Sequence, residues 1–200
     1  MANKITIYPE VFNERYLSLI TNRTRYEVLY GGAGSGKSVF VAQRLVYRIM
    51  KEPNQKALVV RKVAKTNRQS TFAEICNVIN TWNLSALFKI NRSDMEITFL
   101  NKNQIVFSGL DDAEKLKSIT GITYIWIEEA SEITQEDFIQ LDLRLRGKSK
   151  IPQQITLSFN PVSALSWLKT YWFDQPRENT TILKTTHKDN RFLDDEYRNV

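Results

Sequence analysis

The chain has 200 residues, 42% of them hydrophobic and 25% charged, with a formal net charge of +6. That composition excludes a disordered or low-complexity chain, and the length suits one large domain with a substantial core. No run of eighteen apolar residues exists to span a membrane, no signal-like apolar stretch opens the chain, and the single cysteine, Cys76, excludes an intrachain disulfide.

The first element predicted in chain order is a strand, "YEVLY" at 26–30, followed by a glycine loop and a helix from Lys37 to about Lys51. "ALVVR" (57–61) reads as a second strand. Residues 68–82 read as a helix, because Phe72, Ile75, Val78, Ile79 and Trp82 recur at helical spacing. "EITFL" and "QIVFSG", joined by "NKN", predict a hairpin over 96–109. "ITYIWI" (122–127) is a near-continuous apolar run, as expected of a strand buried on both faces. A helix is expected from Thr134, where Thr-Gln-Glu-Asp offers a cap and early acidic residues. "QITLSF" (154–159) and "TTILKTT" (180–186) complete the strands. Strands alternating with helices predict an α/β fold with a mainly parallel central sheet flanked by helices, and no internal boundary.

The loop is Gly31, Gly32, Ala33, Gly34, Ser35, Gly36, Lys37, Ser38, which fits G-x-x-x-x-G-K-[ST] between a strand and a helix. A polyphosphate needs several main-chain N–H donors converging on it, and side chains would obstruct the approach. The glycines clear the way, and the helix beginning at Lys37 points its positive end at the anion. Lys37 would reach the β- and γ-phosphates of ATP, and Ser38 would ligate Mg²⁺. Such a loop needs carboxylates at the end of a second strand. Glu128 and Glu129 stand at the end of "ITYIWI", the first as a metal-side acid and the second as the base for an attacking water.

Ser158, Phe159 and Asn160 end a third apolar strand with hydrogen-bonding groups that could sense the γ-phosphate. Hydrolysis also calls for an arginine, with Arg61, Arg144 and Arg146 as candidates. The segment 56–69 has no acidic residue. Its Lys62, Lys65 and Arg68 suit contact with a DNA backbone, which needs positive charge and no base readout. The sole histidine, His187, belongs to no metal cluster, and Cys76 falls on the apolar side of a predicted helix.

The order "LYGGAGSGKS", "VVRKV", "GLDDAEKLKSITGITYIWIEEASEIT", "LRLRG", "LSFNP" resembles the ATPase portion of tailed-bacteriophage terminase large subunits. The branch it resembles is found in phages and prophages of Gram-positive bacteria. The resemblance runs from about Tyr8 to about Tyr197. It implies a P-loop NTPase of the additional-strand type, in which the "LSF" strand inserts between the phosphate-loop strand and the acidic strand. It also implies a motor that hydrolyses ATP to drive double-stranded DNA into a prohead. Its partners would be a portal protein, a terminase small subunit and further copies in a ring, within the host cytoplasm. Ser158, Phe159 and Asn160 would then be the coupling motif. An adenine-contacting segment would lie within residues 5–30, with Tyr8 and Pro9 as candidates. The RNase H-like nuclease of the family is not expected within these 200 residues, so nuclease activity is not expected either. A helicase- or recombinase-type ATPase and a nucleotide-gated assembly module docking on the portal are the alternatives. The phosphate loop carries no arginine, which turns attention to Arg61, Arg144 and Arg146.

Overall fold

The computed structural model describes residues 5–145, 151–161, 166–175, 177–194 and 196. Its strands are β1 (Tyr26–Gly31), β2 (Lys56–Arg61), β3 (Phe88–Asn91), β4 (Glu96–Phe99), β5 (Gln104–Gly109), β6 (Tyr124–Glu128), β7 (Gln154–Phe159) and β8 (Thr180–Thr185). They form one sheet in the order β3-β4-β5-β2-β6-β7-β1-β8. The pairs β1–β7, β1–β8, β2–β5, β2–β6 and β6–β7 are parallel, while β3–β4 and β4–β5 are antiparallel. The strand ending in Ser158-Phe159 therefore lies between the phosphate-loop strand and the acidic strand, as the resemblance implies.

Helices cover both faces: α1 (Lys37–Lys51), α2 (Ala64–Gln69), α3 (Thr71–Thr81), α4 (Ala113–Ser118), α5 (Gln135–Asp142) and α6 (Trp167–Trp172). On one face, α1 and α3 join the N-terminal 3-10 turns Pro9–Val11 and Glu14–Leu19 over a core that includes Tyr16, Phe40, Leu45, Ile75 and Trp126. On the other, α5 and α6 pack Phe138, Leu141, Leu168 and Trp172 against Val28, Ile125, Ile127 and Leu157. Each such side chain contributes about 1.5–3 kcal/mol by leaving water. The central strands β6 and β7 are buried at every residue; β6 therefore reads as a near-continuous apolar run, whereas β7 alternates the buried polar residues Gln154, Thr156 and Ser158 with apolar ones.

The helix expected over 68–82 is two helices. The chain breaks at Ser70 (φ −112°, ψ −97°), so Arg68 and Gln69 close α2, and the apolar stripe from Phe72 lies in α3, which starts at Thr71. Periodicity sees the stripe but not the break, because Ser-Thr can start a helix as readily as continue one. The helix at Thr134 begins with a reciprocal capping box between Thr134 and Asp137. Strand β3 and helices α4 and α6 have patterns too short to register in the sequence.

A polar seam crosses the first core. Arg44 of α1 and Glu27 of β1 are both fully buried and form a bidentate ion pair. Arg44 also donates to Thr156 Oγ1 at 3.0 Å and to Tyr124 Oη at 3.2 Å, on β7 and β6. Burial alone would push the Glu27 carboxyl up. The Arg44 guanidinium, an Asn22 amide hydrogen bond and the Arg48 charge outweigh it and hold the carboxyl below its usual range. Glu27 therefore contributes stability that is complete above the unfolded carboxylate pKa, about 4.3, and is lost as pH falls through the lower folded value.

Glu27→Gln, which strands Arg44 without a counter-charge, should cost about 3–5 kcal/mol at neutral pH. Urea unfolding should show that the deficit shrinks as pH falls below about 4. A deficit that stays constant down to about pH 3 would contradict the ion-pair assignment.

Candidate nucleotide-binding cleft

Parallel strands β1, β6, β7 and β2 end on the same edge of the sheet, where open α/β sheets bind ligands. The turn after β1 is set by two close approaches. A Cβ at Gly31 would stand 1.7 Å from the Thr185 carbonyl oxygen on β8, so only glycine fits. Gly36 has φ +82° and is the N-cap of α1, which turns the loop into the helix. Behind the loop, Tyr16 Oη donates to the Ser35 carbonyl at 2.9 Å and lies 2.9 Å from Thr185 Oγ1. Asn190 Nδ2 donates to the Gly34 carbonyl at 2.7 Å. The N-terminal turns and the segment after β8 thus hold the loop from outside.

One cavity is lined by the loop residues Ala33 to Ser38 together with Glu128, Glu129, Ser158, Phe159 and Asn160. The Lys37 ammonium reaches the carbonyls of Gly31 (2.7 Å) and Gly32 (3.0 Å), Ser35 Oγ (3.0 Å) and Asn160 Oδ1 (3.0 Å). Ser38 Oγ donates to Glu128 Oε1 at 2.5 Å, and the Ser158 hydroxyl donates to Glu128 Oε2. In an extended strand Glu128 and Glu129 would face opposite sides. Glu129 instead adopts the left-handed conformation (φ 53°, ψ 52°), and both acids line the cleft. For a residue with a Cβ this conformation costs about 1–3 kcal/mol and is typical of functional sites.

The electrostatics suit a charged ligand. Burial pushes the Lys37 amine down from its ordinary value, opposed by Glu128 and Glu129. Burial also pushes the Glu128 carboxyl up, offset in part by the Ser158 and Ser38 hydroxyls and the Arg61 charge. An anion beside Lys37 would favour its charged form. A hard cation between Ser38 and Glu128 would favour the carboxylate, with oxygen donors of the type that Mg²⁺ takes. The donor set therefore fits that metal.

A second cavity adjoins the first and shares Gly36, Val39 and Asn190 with it. Its wall includes Val11, Phe40, Trp82 and Phe192. Asn13, only 5% exposed, lies in that wall, and its Nδ2 has no hydrogen-bond partner among the described residues. Tyr8 is 65% exposed, and neither it nor Pro9 lines the cavity, which begins at Glu10. The same N-terminal segment contributes Glu10, Val11 and Asn13 to the cavity wall. Asn13, Tyr16 and Asn190 carry no motif and could not have been selected from the sequence.

The arginines separate. Arg61 faces Glu132 across 3.6 Å and donates to Ser70 Oγ at 3.3 Å, and its charge reaches Glu128. Arg144 Nη1 donates to the Leu116 carbonyl at 2.8 Å and is not among the cleft-lining residues. Arg146 lies outside the described residues. Lys62, Lys65 and Arg68 are exposed, just beyond the end of β2 and along α2. Cys76 is buried in the first core, as expected. Among the described residues no group of three or more His, Cys, Asp or Glu could by itself hold a metal, and no helix is long and apolar enough to cross a membrane.

The phage terminase large subunit family model matches residues 23–200. The PBSX phage terminase large subunit of Bacillus subtilis is 35% identical over 191 residues, covering 86% of this chain and 44% of that protein. The terminase large subunit of Bacillus phage SPP1 is 30% identical over 177 residues, covering 83% of this chain and 42% of its own. This chain thus spans less than half the length of these relatives. The large terminase of a thermophilic bacteriophage, in complex with ATP-gamma-S, superposes with a TM-score of 0.71 at 20% identity. The match covers 93% of this chain and 47% of that one, and the likeness bears on the fold.

Gly31→Ala should sharply lower the thermal midpoint, because its Cβ would collide with the β8 backbone. Gly32→Ala should leave the midpoint unchanged, since no atom of the described residues lies within 4 Å of a Cβ there. Equal midpoints for the two variants would show that the loop is not pressed against β8.

Proposed function

The chain belongs to the phage terminase large subunit family, and from that premise we propose that this fold is an ATP-hydrolysing motor unit that drives double-stranded DNA into the prohead. The observation that carries the reading is the convergence of Lys37, Ser38, Glu128 and Glu129 on one cleft at the strand ends. The ATP-gamma-S bound by the thermophilic-phage terminase supports a nucleoside triphosphate as the ligand. Here the phosphates would occupy the loop cavity, and the nucleoside the adjoining apolar cavity, where the Asn13 amide offers an unspent donor.

The main-chain amides and Lys37 bind and orient the triphosphate. Ser38 and Glu128 would hold Mg²⁺, which supplies charge neutralisation of the phosphate oxygens when bound. Glu129, turned into the cleft by its left-handed backbone, positions a water and accepts its proton. Asn160, within 3.0 Å of the Lys37 ammonium, links the β7 tip to the phosphate end of the site. Arg61 is a described arginine whose charge reaches Glu128, and it stabilises charge on that side of the cleft. Lys62, Lys65 and Arg68 provide the positive surface for the DNA backbone. A portal protein, a terminase small subunit and neighbouring copies in a ring would complete the motor in the host cytoplasm.

Lys37→Ala should abolish ATP turnover and reduce nucleotide affinity at least tenfold by calorimetry. Glu129→Gln should keep nucleotide affinity within about threefold and lose turnover by roughly 10²–10⁴-fold, the range for a general base. Hydrolysis that survives Glu129→Gln would remove that assignment. Duplex DNA should bind with a steep inverse salt dependence. Neutralising Lys62, Lys65 and Arg68 together should lower the slope of log affinity against log salt by about three. An unchanged slope would place the DNA surface elsewhere.

A further inference from the structure

Trp126 and Glu128 are two residues apart on β6, so both side chains leave the same face of the sheet. Ser158 is paired opposite Glu128 on β7 and shares that face. The Trp126 indole is fully buried, and its Nε1–H donates to Ser158 Oγ at 2.7 Å. An indole N–H can only donate, and a serine hydroxyl carries a single proton. With one lone pair of Oγ taken by the indole, the hydroxyl proton must leave in another direction. Glu128 Oε2 receives it, while the alternative acceptor, the Ile127 carbonyl, lies at 3.5 Å. The other carboxylate oxygen, Oε1, is turned to Ser38. Polarity therefore runs one way through the chain, from indole to hydroxyl to carboxylate, and a second hydroxyl meets the carboxylate from the phosphate loop.

We propose that Trp126 is a positioning residue for Glu128: through Ser158 it fixes the orientation in which the carboxylate presents an oxygen to the phosphate loop. The proposal rests on the reading of Glu128 as the metal-side acid. Without the indole proton, the Ser158 hydroxyl can rotate toward the Ile127 carbonyl, and Glu128 loses its fixed donor. Ser158 is thereby committed to the acid, which leaves Asn160 as the β7-tip residue directed at Lys37 and the phosphates. A tryptophan that merely filled space would pass no such constraint to its neighbours.

The test compares Trp126→Phe, Ser158→Ala, their double variant and Ser158→Thr in the full chain. Mn²⁺ binding in the presence of ADP is read by electron paramagnetic resonance, and ADP binding in EDTA by calorimetry. Trp126→Phe and Ser158→Ala should each weaken Mn²⁺ roughly ten- to hundredfold, as loss of a group that orients a metal ligand does. The double variant should be no weaker than Ser158→Ala alone, and Ser158→Thr should remain within a few-fold of wild type. ADP affinity in EDTA should not change in Trp126→Phe, since Trp126 does not line the cleft. In the metal-free protein, the Trp126 indole ¹H–¹⁵N resonance should shift upfield in Ser158→Ala and stay in place in Ser158→Thr. That readout does not require the Phe variant to fold. Unchanged Mn²⁺ affinity in Trp126→Phe, losses that add in full, or an indole signal unmoved by Ser158→Ala would each overturn the proposal. A wild-type protein that binds no Mn²⁺ with ADP would overturn the metal-side reading of Glu128 on which the proposal stands, whatever the indole signal shows.

Discussion

The cleft depends on a single close meeting: the Ser38 hydroxyl against the Glu128 carboxylate, 2.5 Å apart. Ser38 opens α1 and Glu128 closes β6, so these groups are 90 residues apart in the chain. They meet because β7 lies between β1 and β6, and its tip touches both neighbours. From that tip Ser158 holds Glu128, and Asn160 reaches Lys37. A sheet with β1 directly beside β6 would leave neither group a place to stand. The inserted strand thus works as scaffold and as part of the site.

Two costs are accepted to keep the site in shape. Glu129 occupies a backbone region that a side chain disfavours, and Glu128 and Lys37 are buried where their charged forms are penalised. These are drawn against the apolar layers on both faces of the sheet, where Phe40, Leu45, Phe138 and Trp172 are almost fully buried. The Glu27–Arg44 pair adds direction rather than mere cohesion. It ties α1 to β1 and, through Thr156 and Tyr124, to β7 and β6. The helix that carries Lys37 and Ser38 is thereby locked to the strands that carry Glu128 and Ser158.

Legibility in the sequence followed the range of each interaction. The run at 122–127 announced a strand buried on both faces because no charged residue interrupts it until Glu128. The glycine loop was readable because phosphate recognition by main-chain amides confines its requirements to eight consecutive residues. The break at Ser70 was not readable, since a serine before a threonine serves equally as helix start and helix interior. Tyr8 is largely exposed, and the wall of the second cavity includes Val11, Asn13, Trp82 and Phe192. Those four residues come from three separate parts of the chain, and no local pattern connects them.

By itself, then, the amino-acid order determined the strand–loop–helix with its glycine turn, the acidic strand end, and the alternation that makes a parallel sheet. Each of these is a local matter of backbone freedom, apolar periodicity or adjacent charge. Tertiary structure alone decided that Arg61 lies near the acids while Arg144 is spent on the Leu116 carbonyl. It alone decided that Asn190 and Tyr16 brace the loop, and that Trp126 directs the hydroxyl of Ser158. The reason is physical: a hydrogen bond between distant segments is specified by how the whole sheet stacks and twists, and that stacking is a sum over the entire core which no short stretch of sequence carries.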